Sequence, residues 1–136
     1  MDGKRVLGLP CEIQEVRNAF IAYENMNQWI PHDTNHLLNA HKLLMSGLID
    51  EAGRWSQSGV SIYGENKLMH MAPPLSQVPR LMGDLLTWLN VMPVHPLVAR
   101  CVFHYEFEFI HPFSDGNGLM GRLWRTLILY VDQLAR

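Results

Sequence analysis

At 136 residues, 48% of them hydrophobic and 18% charged, the chain has material for one domain with a real core and lacks the composition of a disordered tail. Eleven basic residues against thirteen acidic ones leave a net charge of −2, so the chain carries no electrostatic footprint for nucleic acid. No apolar run is long enough to span a bilayer, the first ten residues hold no signal-peptide core, and Cys11 and Cys101 make no metal or disulfide pattern. Together these features predict a cytoplasmic protein without membrane contact.

No internal repeat, low-complexity tract or linker interrupts the chain, so residues 1–136 are read as a single domain with its core over about 11–136. Between Cys11 and Glu24, the residues Ile13, Val16, Phe20 and Tyr23 recur at three- and four-residue steps and predict an amphipathic helix buried along that stripe. Pro31 and neighbouring amide side chains predict a loop. Asp33 or Thr34 can then cap a second helix running through Leu37, Leu38, Leu44 and Leu48, and Gly53 ends this helical half. From about residue 53 to 71 the texture changes. Val60, Ile62 and Tyr63, then Leu68 and Met69, flank Gly64-Glu65-Asn66-Lys67 as a short β-hairpin would, and Pro73-Pro74 stops it.

Ser76 is a cap candidate for a third helix with an apolar stripe of Val78, Leu81, Met82, Leu85, Leu86 and Leu89. After Pro93 and Pro96 a fourth helix is expected to reach Ile110. Leu97, Cys101, Phe103, His104, Phe107 and Ile110 make it apolar over more than half its circumference, which predicts a central, buried helix. Met120, Leu123, Trp124, Leu127, Ile128, Val131 and Leu134 define a fifth. The expected fold class is therefore all-α, a helical bundle carrying one small hairpin. Trp88 and Trp124 sit at core spacing, whereas Trp29 and Trp55 fall in turn regions open to a target or a second subunit. His32 and His36 are four apart without a third ligand and read as surface residues; His104 reads as a core residue held by a hydrogen bond.

Between helices four and five stands His-Pro-Phe-Ser-Asp-Gly-Asn-Gly-Leu-Met-Gly-Arg, His111 to Arg122. It gathers an imidazole, a carboxylate and a glycine-rich turn at a helix start, where unpaired amides and the macrodipole favour anions. Gly116 to Gly121 spells G-x-G-x-x-G literally, but a dinucleotide fingerprint follows a strand and has an acidic residue about twenty positions on, and neither holds here. A plain helix–helix corner would account for Gly121 but not for a His, an Asp and an Asn on one short loop.

His111-x-Phe113-x-Asp115-Gly116-Asn117-Gly118-x-x-x-Arg122 resembles the signature of the Fic (Fic/Doc, Fido) family, H-x-F-x-D/E-G-N-G-R-x-x-R. The run Val102 to Ile110 resembles the helix leading into that motif, Met69 to Pro74 the end of the family's flap hairpin, and Glu12 to Asn18 the start of its core. The resemblance implies a protein adenylyltransferase: AMP passes from ATP, with Mg²⁺, to a Ser, Thr or Tyr hydroxyl of a target protein. It implies His111 as general base, Asp115 as metal ligand, and Gly116, Asn117 and Gly118 as an anion hole. Arg122 would hold the terminal phosphate and Phe113 would anchor the loop. Gly118 stands where the Doc-type kinases carry lysine, which favours adenylyl over γ-phosphoryl transfer. Gly59, Val60, Ser61 and Ile62 of the flap would align the target peptide by main-chain hydrogen bonds.

Three departures accompany the resemblance. Leu119 replaces the first motif arginine, and losing one charge-assisted phosphate contact costs about 1.5–3 kcal/mol. Weakened activity is therefore expected, with Arg125 one turn on as a possible substitute and a catalytically inactive Fic-fold interaction module as the alternative function. Ser56 stands where related flaps often carry arginine. None of the expected helices carries S/T-x-x-x-E-G/N, the motif of the family's inhibitory helix, so an inhibitory helix or antitoxin chain is an expected partner, along with the protein substrate and a homodimer mate.

Overall fold

The structure, a computed structural model, describes residues 10–57, 72–91 and 94–134. Five α-helices account for most of them: α1 (Pro10–Glu24), α2 (Thr34–Met45), α3 (Val78–Val91), α4 (Pro96–Ile110) and α5 (Asn117–Leu134). Short 3₁₀ turns at Met26–Gln28 and Leu75–Gln77 join them, and no strand occurs among the described residues. The fold is all-α. The expected hairpin residues Val60 to Met69, including Gly59, Val60, Ser61 and Ile62, lie outside the described residues. No helix of the described residues is long and apolar enough to cross a membrane.

The core is built chiefly from α5 packed on α4, with α2 and α3 closing the sides. Met120, Leu123, Trp124, Leu127 and Ile128 of α5 are buried against Ala99, Phe103, Phe107 and Ile110 of α4. Leu37, Ala40, Leu44 and Met45 of α2 and Val78, Met82, Leu85, Leu86 and Leu89 of α3 complete it. α5 can lie close to α4 because Gly121 has no side chain. A Cβ there would sit 3.6 Å from His104 Nδ1 and 3.6 Å from the Phe107 ring.

The stripe expected to bury α1 faces outward. Val16 is 69% and Phe20 65% exposed, and Tyr23 is exposed too. What seats α1 is polar: Asn18 is buried and donates from Nδ2 to Leu44 O (3.0 Å) and Ser46 O (2.7 Å), with Ala22 buried one turn on. Gln14 donates to Asn18 Oδ1 at 2.8 Å and holds it in place. These bonds satisfy carbonyls that the end of α2 leaves without partners. α1 is thus docked through Asn18 on the end of α2 and through the small Ala19 and Ala22, and not through Val16, Phe20 and Tyr23.

Other boundaries move for identifiable reasons. α2 stops at Met45, short of Leu48, because Ser46 (ψ 127°) and Gly47 (φ +78°) make a type II turn closed by Leu48 N on Met45 O at 3.0 Å. Asp33 caps α2, its carboxylate accepting from His36 N at 2.9 Å. Ser76 caps nothing, since it lies inside the 3₁₀ turn that precedes α3. α4 begins with His95, whose Nδ1 accepts from Leu97 N at 3.0 Å. It is buried on one face only. Leu97, Val98, Cys101, Tyr105 and Phe109 are exposed, which corrects the expectation of an enclosed helix. Trp29 is buried and not open to a partner: its ring lies 6.0 Å from that of Trp124, whose Nε1 donates to Pro31 O at 2.8 Å.

Candidate active site

α4 ends at His111 in the left-handed region (φ 52°, ψ 59°), with its N–H donating to Phe107 O at 2.9 Å. Such a conformation costs about 1–2 kcal/mol for a residue with a Cβ, and it persists because the next two residues are locked in place. Pro112 cannot continue the helix and is buried, and its carbonyl accepts from Ser56 N at 2.8 Å. Phe113 is fully buried, between the His41 ring at 3.7 Å, nearly parallel, and Trp55 at 5.3 Å. Ser56, found in place of an arginine, therefore ties the residues before the flap to the motif through its main chain.

The loop closes on itself through Asn117. Its Oδ1 accepts from Phe113 N at 3.0 Å and its Nδ2 donates to Phe113 O at 2.8 Å. The amide side chain is thus spent inside the loop, and Asn117 lines the cavity through its backbone. His41 makes the second clamp. Its Nδ1 accepts from Gly53 N at 2.9 Å, so its Nε2 carries the proton and donates to Asp115 O at 2.9 Å. Burial holds the His41 pKa below its ordinary value of 6.5, against smaller opposing contributions from the Asp115 carbonyl and the Asp115 charge. Sequence reasoning missed His41; the one signal it offers is a histidine on the Leu37–Leu44 face of an apolar helix.

At Gly116 (φ +84°) the chain turns into α5. A Cβ there would stand 2.6 Å from Met45 Sδ, so space as well as dihedral angle calls for glycine. The first backbone donor of α5 to find a helical acceptor is Met120 N, on Gly116 O at 2.9 Å. The amides of Asn117, Gly118 and Leu119 precede it as helix-start donors. Gly116 N is already used by Asp115 Oδ1 at 2.7 Å.

A cavity of ≈ 390 Å³ opens at this point, within the range of small-ligand sites. The motif residues His111, Asp115, Gly116, Asn117, Gly118 and Arg122 all wall it, and Ser114, Leu119, Met45 and Glu15 complete the lining. Leu119 is in the wall, at the position where the family signature has a second cation. Arg125 is not in the wall, and its Nε is buried without a hydrogen-bond partner. Arg122 makes no ion pair among the described residues. Glu15 was not foreseen in the site, because a glutamate on the polar side of a surface helix looks like any solvated residue. With Arg122 against Asp115 and Glu15, the formal charge of the lining is 1 − 2 = −1.

His32 and His36 lie apart from this site. His36 Nδ1 accepts from Ile30 N at 2.9 Å, and no group of three or more His, Cys, Asp or Glu is gathered among the described residues. His104 is half-buried on α4 with Nε2 3.4 Å from Glu108.

Residues 31–129 match the model of the Fic/DOC family. The chain belongs to the Fic/DOC family. A Fic family protein from Desulfovibrio desulfuricans G20 has a solved structure that superimposes with a TM-score of 0.86 at 64% identity, covering 94% of this chain and 39% of that one. A Fic-domain signalling protein from Bacteroides thetaiotaomicron shares the fold, with a TM-score of 0.81 at 19% identity over 95% of this chain and 52% of that one. Among relatives, the chain is 29% identical over 140 residues to the protein adenylyltransferase Fic of Aedes aegypti, covering 95% of this chain and 26% of that protein. It is 41% identical over 63 residues to a probable protein adenylyltransferase of Aquifex aeolicus, covering 46% of this chain and 20% of that protein. The chain thus spans about a quarter of the length of the relatives it matches. The Fic/DOC family to which it belongs includes proteins named as adenylyltransferases.

Proposed function

We propose that this chain is the catalytic domain of a protein adenylyltransferase, moving AMP from ATP to a hydroxyl of a target protein. The observation that carries the reading is the convergence of His111, Asp115, Arg122 and three helix-start amides on one cavity. The polyphosphate lies over the amides of Asn117, Gly118 and Leu119, which are fixed before the substrate arrives and so cost no reorganisation. Arg122 holds the far phosphate. His111 takes the proton of the attacking hydroxyl as the α-phosphorus bonds to its oxygen and pyrophosphate departs.

A divalent cation fits this lining. Asp115 offers a hard, exposed carboxylate, and with no acidic cage around it the remaining ligands would be phosphate oxygens and water, as Mg²⁺ prefers. When bound, the cation supplies neutralisation of phosphate charge, which a lining of net −1 does not.

The test is transfer of label from α-³²P-ATP, and not from γ-³²P-ATP, to a protein acceptor in the presence of Mg²⁺. His111→Ala is expected to abolish it; no transfer to any protein, or label from the γ position alone, sinks the reading. Leu119 favours a second reading, an inactive Fic-fold interaction module, because an aliphatic side chain occupies the wall where the family signature has a cation. Under that reading Mg-ATP does not bind, and Leu119→Arg restores little.

A further inference from the structure

His111 walls a second cavity as well. It measures ≈ 220 Å³ and is lined, among the described residues, by Ala72, Pro73, Pro74, Leu75, Val78 and Ile110 as well. Val78 and Ile110 are core residues, so the inner wall is rigid hydrocarbon. The histidine therefore separates a chamber with charged and polar side chains at the start of α5 from one between the end of α4 and the start of α3 whose side chains, His111 apart, are hydrocarbon.

Adenylyl transfer leaves two groups to be housed beside His111 once the phosphates are placed: the nucleoside and the acceptor side chain. Size, wall chemistry and position each discriminate between them. The cavity falls below the roughly 300 Å³ at which sites begin to enclose drug-sized ligands, which suits one ring better than a base with its ribose. A purine edge is rich in acceptors and needs donors, but Pro73 and Pro74 have no N–H and the other side chains, His111 apart, are hydrocarbon. A general base must be within hydrogen-bond reach of the acceptor hydroxyl, and this cavity has that base in its wall.

We infer that the second cavity receives the acceptor side chain and that the acceptor is a tyrosine, its ring against Leu75, Val78 and Ile110 and its hydroxyl at His111. This rests on the adenylyltransferase reading above. A serine or threonine would reach the base but leave the apolar walls unfilled, whereas an aromatic ring is the group whose burial rewards such walls most. The phenol, with a pKa near 10, also asks less of a neutral imidazole than an aliphatic alcohol does. In the step, the phenol oxygen bonds to the α-phosphorus, the bond from that phosphorus to the α–β bridging oxygen breaks, pyrophosphate leaves, and the phenol proton passes to the imidazole.

The experiment is a pair of NMR titrations on the ¹⁵N,¹³C-labelled full chain. N-acetyltyrosinamide is expected to shift Ala72, Leu75, Val78 and His111, with N-acetylserinamide at least ten-fold weaker. Mg-ADP is expected to shift Gly116 to Leu119 and to leave the tyrosinamide signals in place. Leu75→Trp, which fills the cavity from its half-buried rim, should weaken the tyrosine probe at least ten-fold and leave Mg-ADP binding unaltered. Equal response to the two amino-acid probes, or no response at Ala72, Leu75 and Val78, overturns the acceptor assignment alone. Displacement of the tyrosine probe by Mg-ADP with shifts at Leu75 and Val78 gives the cavity to the nucleoside and also overturns it. An Mg-ADP titration that leaves Gly116 to Leu119 unmoved removes the underlying reading, and the acceptor assignment falls with it.

Discussion

Leu119 is the residue on which the chemistry turns. Its amide is one of the three helix-start donors, yet its side chain puts an aliphatic surface where the family signature has an arginine. Restoring a charge-assisted contact is worth about 1.5–3 kcal/mol, so Leu119→Arg is expected to tighten Mg-ATP binding roughly ten- to hundred-fold, read by calorimetric titration beside the wild type. Binding unchanged by the arginine would mean that the wall at Leu119 does not face the phosphates. Gly116 behaves differently, being a backbone requirement. Gly116→Ala adds a Cβ at φ +84° and 2.6 Å from Met45 Sδ, and because Met45 is flexible the loss is set mainly by the dihedral angle. About 1–3 kcal/mol of stability should disappear, visible as a lower denaturation midpoint in urea.

At the scale of elements, the site is an arrangement of helix ends. α4 supplies His111 from its C-terminus, α5 supplies donors from its N-terminus, and α2 braces both through His41 and Met45. α1 joins through Asn18, which closes the carbonyl end of α2 just beyond Met45. Asn18→Ala leaves two carbonyls short of a donor and is expected to cost about 1–3 kcal/mol, with hydrogen exchange speeding first at Leu48 and Ile49 in the turn after α2. Uniform acceleration over all helices would instead show that α1 docks by apolar contact after all.

For the molecule as a whole, His41 couples stability to pH. The unfolded imidazole takes up a proton near 6.5, and the folded one only at lower pH because it is buried and its Nδ1 is accepting from Gly53. Between those points the unfolded state binds more protons, so stability is fully present above pH 6.5 and declines as pH falls toward the folded value. Thermal midpoints measured on either side of pH 6.5 should drop on the acid side, and His41→Gln should flatten that drop while lowering stability at neutral pH. An identical acid slope in the variant would place the proton uptake elsewhere.

The helices were legible because their patterning is local. The stripe of α3 and the run Met120 to Ile128 of α5 bury the residues that their periodicity singles out, and the motif declared itself by residue types at fixed spacing. The sequence also carried the chain to its family, since His111 to Arg122 is one uninterrupted segment. What periodicity could not decide was which apolar face would find a neighbour. Val16 and Phe20 of α1 and Tyr105 of α4 remain in solvent, while a polar Asn18 is buried, because burial depends on what the other helices present and not on a helix's own composition. Nor could spacing bring Glu15, His41 and Met45 to the motif, seventy to a hundred residues away along the chain. The chain by itself determined the helices and the family; tertiary packing decided the charge, shape and support of the cavity, because those are sums over residues that only folding makes neighbours.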